Sequence, residues 1–225
     1  MIIVTGASRG LGQAITERLV ESGEVVLGLA RNTGGMSIDA IECDISDYAS
    51  VKNASKEVKR MKKPVKAVIN AAGVASMNMA VTTDESTVQK LIQTNLAGTI
   101  YCCQLFAPIM LRQKQGSFIN FSTIAVALAL KGESVYAASK AGVESFSRTF
   151  AREMADFNVK VNCIAPGPIR TDLLRGITDT QIEKIISQQV IPKQFRKSDV
   201  CDIVELLLDD KAASLSGQVL NIGGV

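Results

Sequence analysis

Tyr136 and Lys140, in Tyr136–Ala137–Ala138–Ser139–Lys140, are the residues whose types and spacing first suggest chemistry. Four residues apart on a helix, they stack on one face, one turn from each other. A free phenol titrates at about 10, too high for an efficient base near neutrality. A neighbouring ammonium favours phenolate, and bringing the phenol to about 7–8 takes roughly 3–4 kcal/mol, within reach of one close charge in a partly dry pocket. Taken alone such a pair is commonplace and usually structural, so its weight comes from its company. Ser122–Thr123 closes the apolar run Phe118–Ile119–Asn120–Phe121. A hydroxyl at the carboxyl end of a strand faces the ligand crevice of an open α/β sheet and can donate to an oxygen on which negative charge develops. It can equally do no more than cap or turn the chain. The chain has no histidine. That removes Ser–His–Asp and Cys–His machinery and the common zinc sites, and no metal is expected; proton transfer must use a tuned Tyr, Lys, Cys or carboxylate.

The second constellation is Thr5–Gly6–Ala7–Ser8–Arg9–Gly10–Leu11–Gly12, placed where the first strand turns into the first helix. Glycines there permit a tight turn and close backbone approach to a pyrophosphate, and the helix N-terminus offers free N–H groups to the phosphates. A flexible turn would look similar; the position on the opening strand–helix junction favours a dinucleotide. An acid ending the second strand would accept the ribose hydroxyls of NAD. This chain ends that strand with Ala30–Arg31 and has no carboxylate until Asp39. Arg31, with Arg9, can grip an additional ribose phosphate, which favours NADP(H) over NAD(H); the plain alternative is two solvated arginines. An oxidised nicotinamide beside Tyr136 would add positive charge to that of Lys140.

These residues need a scaffold. Apolar strand-like runs alternate with helical periodicity, which argues for βαβ units and a parallel sheet. Strands are expected at Ile2–Thr5, Val25–Ala30, Ala40–Cys43, Ala67–Asn70, Ser117–Phe121, Val159–Ile164 and Gln218–Ile222, and helices near Leu11–Ser22, Tyr48–Met61, Glu85–Gln113, Val135–Asp156 and Ser198–Leu208. The stretch Arg31 to Asp39 is too short for a crossover helix, which needs about a dozen residues. With no repeat, low-complexity tract or linker, residues 1–225 read as one domain.

Bulk composition narrows the function classes. The chain is 47% hydrophobic but only 4% aromatic, with a net charge of +3, which suits a core of small aliphatics rather than a disordered or nucleic-acid-binding chain. Lys59–Arg60–Met61–Lys62–Lys63 fits the end of a solvated helix better than a nucleic-acid patch. Met1–Ile2–Ile3–Val4 opens without a basic leader, and no apolar segment is expected to be long enough to span a bilayer. Cys43, Cys102, Cys103, Cys163 and Cys201 have no Cys-x-x-Cys spacing and apolar neighbours, as buried reduced thiols would. A cytoplasmic location fits.

Together these motifs resemble the short-chain dehydrogenase/reductase family over essentially the whole chain. Thr5-Gly6-x-x-x-Gly10-x-Gly12 resembles its cofactor loop and Asn70–Ala71–Ala72–Gly73 its motif after the fourth strand; Asn95 is similar to its active-site asparagine. Tyr136 and Lys140 match its Tyr-x-x-x-Lys motif, and Pro166–Gly167–Pro168–Ile169–Arg170–Thr171 resembles the loop that meets the nicotinamide carboxamide. The resemblance implies a Rossmann-type, doubly wound α/β fold with a seven-stranded parallel sheet. It implies hydride transfer between NADP(H) and a carbonyl or alcohol: Tyr136 as proton donor in reduction, Lys140 lowering its pKa and holding the nicotinamide ribose, Asn95 ordering a water, a strand-end hydroxyl orienting substrate, and Asp44 and Ile45 flanking the adenine. Counted back from the tyrosine, the family's serine falls on Thr123, with Ser122 beside it, so either hydroxyl can be the one that acts. Ile222 stands where an acid is common, without catalytic consequence.

The family resemblance also implies a homodimer or homotetramer through the helices Glu85–Gln113 and Val135–Asp156; in the second, Phe146, Phe150 and Met154 recur every four residues, which by itself reads as a core stripe. Thr171–Pro192 is expected to cover the substrate pocket and Ala125–Leu130 to give it an apolar wall, as for an uncharged or partly apolar carbonyl compound. Arg170, Arg175, Lys184, Lys193, Arg196 and Lys197 could greet an acidic acyl carrier, although scattered surface cations are the safer reading. A non-catalytic NADP sensor would have little use for Asn95, a strand-end hydroxyl, Tyr136 and Lys140 at once. A sugar-nucleotide epimerase usually has a C-terminal substrate domain and another glycine spacing.

Overall fold

A computed structural model describes residues 1–171 and 178–225. The strands are β1 (Ile2–Thr5), β2 (Val26–Ala30), β3 (Ala40–Glu42), β4 (Ala67–Asn70), β5 (Gly116–Phe121), β6 (Val159–Ala165) and β7 (Val219–Asn221). They form one seven-stranded sheet in the order β3-β2-β1-β4-β5-β6-β7, every pair parallel. From β1 the chain first builds outward to β2 and β3, then returns to add β4 on the other side. The carboxyl ends of β1 and β4 therefore flank the switch point at which such sheets bind ligands.

The strands are nearly continuous apolar runs because both faces are covered. Their alternation sorts side chains into two cores. Ile3, Leu27, Val68, Phe118 and Val161 point to a core built with α2 (Tyr48–Met61), α4 (Gly98–Gln113) and α6 (Ser134–Met154). Ile2, Val4, Ile69, Ile119 and Ile164 point to the other, built with α1 (Gly10–Glu21) and α8 (Lys197–Leu208). The connection from β2 to β3 has no helix, as its length requires. Asn32 Oδ1 accepts from Gly34 N at 2.9 Å in a tight turn. Met36 and Ile38 then fold back over Gly28, where a Cβ would lie 2.6 Å from Met36 Cε. Two side chains thus stand in for a crossover helix at that corner.

Strand ends differ from expectation by a residue or two, since ladder bonds run past the regular stretch: Ile2 N still donates to Val25 O at 2.8 Å. The larger difference is in Glu85–Gln113, expected as one regular helix. It consists of α3 (Glu85–Leu91), a π-helical turn at Ile92–Ala97, and α4. The continuous run of 29 residues is long and apolar enough by composition to cross a membrane, contrary to expectation. Cys102, Cys103, Phe106 and Met110 are fully buried against the sheet, as in a core helix. Two further helices, α5 (Ala125–Leu128) and α7 (Asp179–Ile186), were not anticipated. All five cysteines are buried and free. Phe150 and Met154 join the core, with Phe146 stacked on Phe150 at 5.1 Å.

Candidate active site

The glycine loop joins β1 to α1. Gly6 and Gly10 have φ of +68° and +63°, the left-handed region that suits glycine. A Cβ on Gly12 would lie 2.3 Å from Gly6 O, so helix and turn touch backbone to backbone. Arg9 occupies the N-cap of α1 without a side-chain cap, and no acid stands in the first turn. By contrast, Asp47 and Asp84 close the N-termini of α2 and α3. The leading N–H groups of α1 thus remain available to an anion, with Ser8 and Arg9 exposed beside them and Leu11 half-buried beneath. The residues present fit a dinucleotide pyrophosphate.

Arg31 is exposed just beyond β2, and neither it nor Arg9 forms a salt bridge among the described residues. Its charge reaches Asp44, just beyond β3. Burial works against ionisation of that carboxyl, but hydrogen bonds from Ser46 Oγ and N, together with Arg31, hold it below the usual carboxylate range. Ile45 is buried against Gly98, its side chain committed to the core. After β4, Thr5 Oγ1 accepts from Ala72 N at 3.1 Å, and a Cβ on Gly6 would lie 2.8 Å from Ala72 Cα. These contacts draw Ala71–Ala72–Gly73 against the glycine loop. Asn70 turns inward, donating to Asn120 Oδ1 at 2.8 Å.

Asn95 lies in the π-helical turn, fully buried. Its side-chain amide accepts from Val74 N and donates to Val74 O, both at 2.9 Å, and donates to Ser139 Oγ at 3.1 Å. Both amide N–H groups are thereby used in fixing the loop after β4 to α6. The main-chain carbonyl of Asn95 accepts from Thr99 Oγ1 at 2.8 Å. Gly142 lets α6 come close: a Cβ there would lie 2.9 Å from Leu96 Cδ2. A π-turn inserts one extra residue into a helix and often marks a functional position.

In the first turn of α6, the Tyr136 phenol is buried, with the Thr123 side chain beside it. Lys140, one turn on and also buried, donates through Nζ to Phe121 O at 2.8 Å. A Cβ on Gly73 would sit 3.5 Å from Lys140 Nζ and 3.2 Å from Asn95 Oδ1, so the end of β4, the π-turn and α6 converge on that glycine. The expected acidification of Tyr136 by Lys140 does not appear in the protein alone. Burial, then the charge of Glu133, push the phenol above its ordinary value, and Thr123 beside it only partly offsets them. Burial also lowers Lys140 to about 8. Lys140, whose own charge is disfavoured in the same dry surroundings, is not among the groups that lower the phenol.

Ser122 and Thr123 point to different places. Asn120 and Ser122 keep the alternation of β5 and face α6, where Asn120 Nδ2 donates to Ser147 Oγ and Ser122 Oγ donates to Glu144 Oε1 at 2.7 Å. Thr123 follows the end of the strand and turns toward Tyr136. Beyond β6, Pro166 O accepts from Ile124 N at 3.1 Å, binding Pro166–Thr171 to the end of β5. Gly167 abuts Gln189, and Ile169 is buried in the core on the α1/α8 face. Thr171 ends the first described segment; residues 172–177, including Arg175 and part of the expected pocket cover, lie outside the described residues.

Two residues went unread in the sequence. Ser139 bridges Asn95 and the Tyr136 carbonyl, to which it donates at 2.7 Å. Glu133 occupies the N-cap of α6 without capping it, buried beside Tyr136. No sequence signal marks Glu133, since a Glu before a helix start reads as an ordinary solvated residue.

Comparison with known proteins identifies the family. The family model described as short chain dehydrogenase matches residues 1–182. The chain belongs to the short-chain dehydrogenase family. The 3-oxoacyl-[acyl-carrier-protein] reductase FabG of Staphylococcus aureus (strain Mu50 / ATCC 700699) is 32% identical, covering 99% of this chain and 96% of the relative. FabG of Escherichia coli (strain K12) is 29% identical, covering 99% and 95%. Among solved structures, Thermoplasma acidophilum aldohexose dehydrogenase superposes with a TM-score of 0.89 at 28% identity, covering 99% of this chain and 92% of that one. 4-Hydroxyisoleucine dehydrogenase complexed with NADH and succinate gives 0.89 at 25%, covering 100% and 98%. As a short-chain dehydrogenase, the protein is an oxidoreductase acting on carbonyl or alcohol groups with a nicotinamide cofactor.

Proposed function

We propose that this short-chain dehydrogenase reduces a carbonyl compound with NADPH, or oxidises the matching alcohol, with Tyr136 as general acid/base. The observation that carries this is the convergence of Thr123 on the buried Tyr136, with Lys140 one helical turn away beside Gly73.

When bound, the cofactor supplies or accepts the hydride. Tyr136 gives its proton to the carbonyl oxygen as negative charge develops there, and a phenol held above its ordinary pKa stays protonated for that task at neutral pH. Thr123, rather than Ser122, offers the hydroxyl that orients the carbonyl, because Ser122 is engaged by Glu144. Lys140 places an ammonium beside Gly73, where a nicotinamide ribose would lie, and favours phenolate when the reaction runs toward oxidation. Asn95 acts as a positioning residue, since its side chain fixes Val74 and Ser139.

The choice of NADP(H) rests on Arg31 at the end of β2, exposed and without a salt bridge among the described residues, with Arg9 on the glycine loop and no carboxylate in the position that would receive NAD. Ser8, Gly10, Leu11 and Gly12 cradle the phosphates, while Asp44 and Ala71 lie at the same rim. Pro166, Gly167, Ile169 and Thr171 close the nicotinamide side. We read residues 1–225 as one catalytic domain working as a homo-oligomer in the cytoplasm. The test is a broad screen of carbonyl compounds with NADPH, wild type beside Tyr136→Phe. Turnover by the wild type alone is expected; equal, near-zero rates for both would favour a non-catalytic sensor.

A further inference from the structure

Among the described residues, three buried side chains bear formal charge: Glu133, Lys140 and Glu144. Two have partners. Lys140 donates to Phe121 O, and Glu144 accepts from Ser122 and pairs with Arg148 at 3.3 Å. Glu133 makes no side-chain hydrogen bond or ion pair among the described residues and does not cap α6, although it sits at the N-cap with only 8% of its surface exposed. A buried carboxyl without a donor is costly and is normally paired. This one precedes the reacting tyrosine by three residues and acts on it electrostatically.

We infer that Glu133 is a specificity-determining residue that accepts a hydrogen bond from a substrate hydroxyl on the carbon next to the reacting carbonyl, so that the preferred substrates are hydroxy-carbonyl compounds. This rests on the oxidoreductase reading above. The nearness of Glu133 to Tyr136 places the bond beside the reacting carbon rather than at a remote tail. A neutral hydroxyl is favoured over an ammonium because a cation there would meet the charge of Lys140, two turns along the helix. A carboxylate in the substrate would be repelled by ionised Glu133. Burial already raises Glu133 to about 7, so a donor from the substrate would return it to the ionised state. A site built around such a bond discriminates against the analogue that lacks the hydroxyl, because the acceptor is then left desolvated and unpaired.

The experiment measures kcat/KM with NADPH for a panel of ketones, each paired with its α-hydroxy analogue, in wild type, Glu133→Gln, Glu133→Leu and Tyr136→Phe, with circular dichroism and NADPH titration confirming that each variant folds and binds. Wild type is expected to favour the hydroxy ketones by about 100-fold or more. Glu133→Leu should bring that ratio below about tenfold, and Glu133→Gln, still an acceptor, should keep part of it. Turnover without preference, or a preference that survives in Glu133→Leu, overturns the inference alone. No turnover of any pair by the wild type defeats the oxidoreductase reading and this inference with it.

Discussion

The Thr123 side chain lies beside the Tyr136 phenol, while Ser122, its neighbour in the chain, donates a hydrogen bond to Glu144 on the inner side of α6. Two adjacent hydroxyls at one strand end are thus assigned to different tasks by the two-residue alternation of β5. Replacing Thr123 by Val should lower kcat/KM by about 10²–10³, the usual cost of a lost oxyanion-side donor, with little change in stability. Replacing Ser122 by Ala should leave kcat/KM within a few fold but lower unfolding free energy by roughly 1.5–3 kcal/mol, since a buried carboxylate loses a donor. Steady-state kinetics beside urea denaturation distinguishes the two; the reverse pattern would assign the active hydroxyl to Ser122.

Arg31 stands where an acid would read an unphosphorylated ribose. Arg31→Asp should shift the NADPH/NADH ratio of kcat/KM toward NADH by about 10–100-fold, as expected for loss of a charge-assisted bond and gain of a ribose acceptor. An unchanged ratio would remove Arg31 from cofactor choice.

Glu133 makes stability depend on pH in a defined direction. Its folded value, about 7, lies above the ordinary value of 4.5, so the folded protein binds more protons than the unfolded chain between them. The associated stability is fully present below about pH 4.5 and is lost as pH rises through about 7. Partial solvent access keeps the effect on the order of 1–2 kcal/mol. Glu133→Gln should flatten this part of the stability–pH curve, measured by denaturation at fixed ionic strength. A wild-type curve that rises with pH in the same window would contradict it.

Gly12→Ala places a methyl 2.3 Å from Gly6 O, a backbone atom that cannot rotate away. The loop must open, and NADPH affinity should fall by at least about tenfold with the sheet intact, by fluorescence titration and circular dichroism. Full affinity in the variant would mean that close approach of helix and loop is not required.

Local chemistry made much of the protein legible before any coordinates. Parallel strands buried on both faces need unbroken Val, Ile, Leu and Ala runs, and a phosphate-accepting helix start needs glycine at Gly6, Gly10 and Gly12. The short reach from Arg31 to Asp39 excluded a crossover helix. Each is a property of a few neighbouring residues, so it survives reading in one dimension.

Other features depend on neighbours distant in the chain, and only tertiary structure decided them. The helical period of Glu85–Gln113 gives no sign of the π-turn at Ile92–Ala97, which forms where Asn95 must reach Val74 and Gly142 admits Leu96. The Tyr136–Lys140 spacing placed a cation beside the phenol but could not weigh it against burial, which depends on everything packed around the pair. Nor could it reveal Glu133, whose carboxyl matters because the fold encloses it without supplying a partner. Spacing along one helix fixes which side chains are neighbours; the surrounding packing fixes the dielectric in which they act, and that sets their charge.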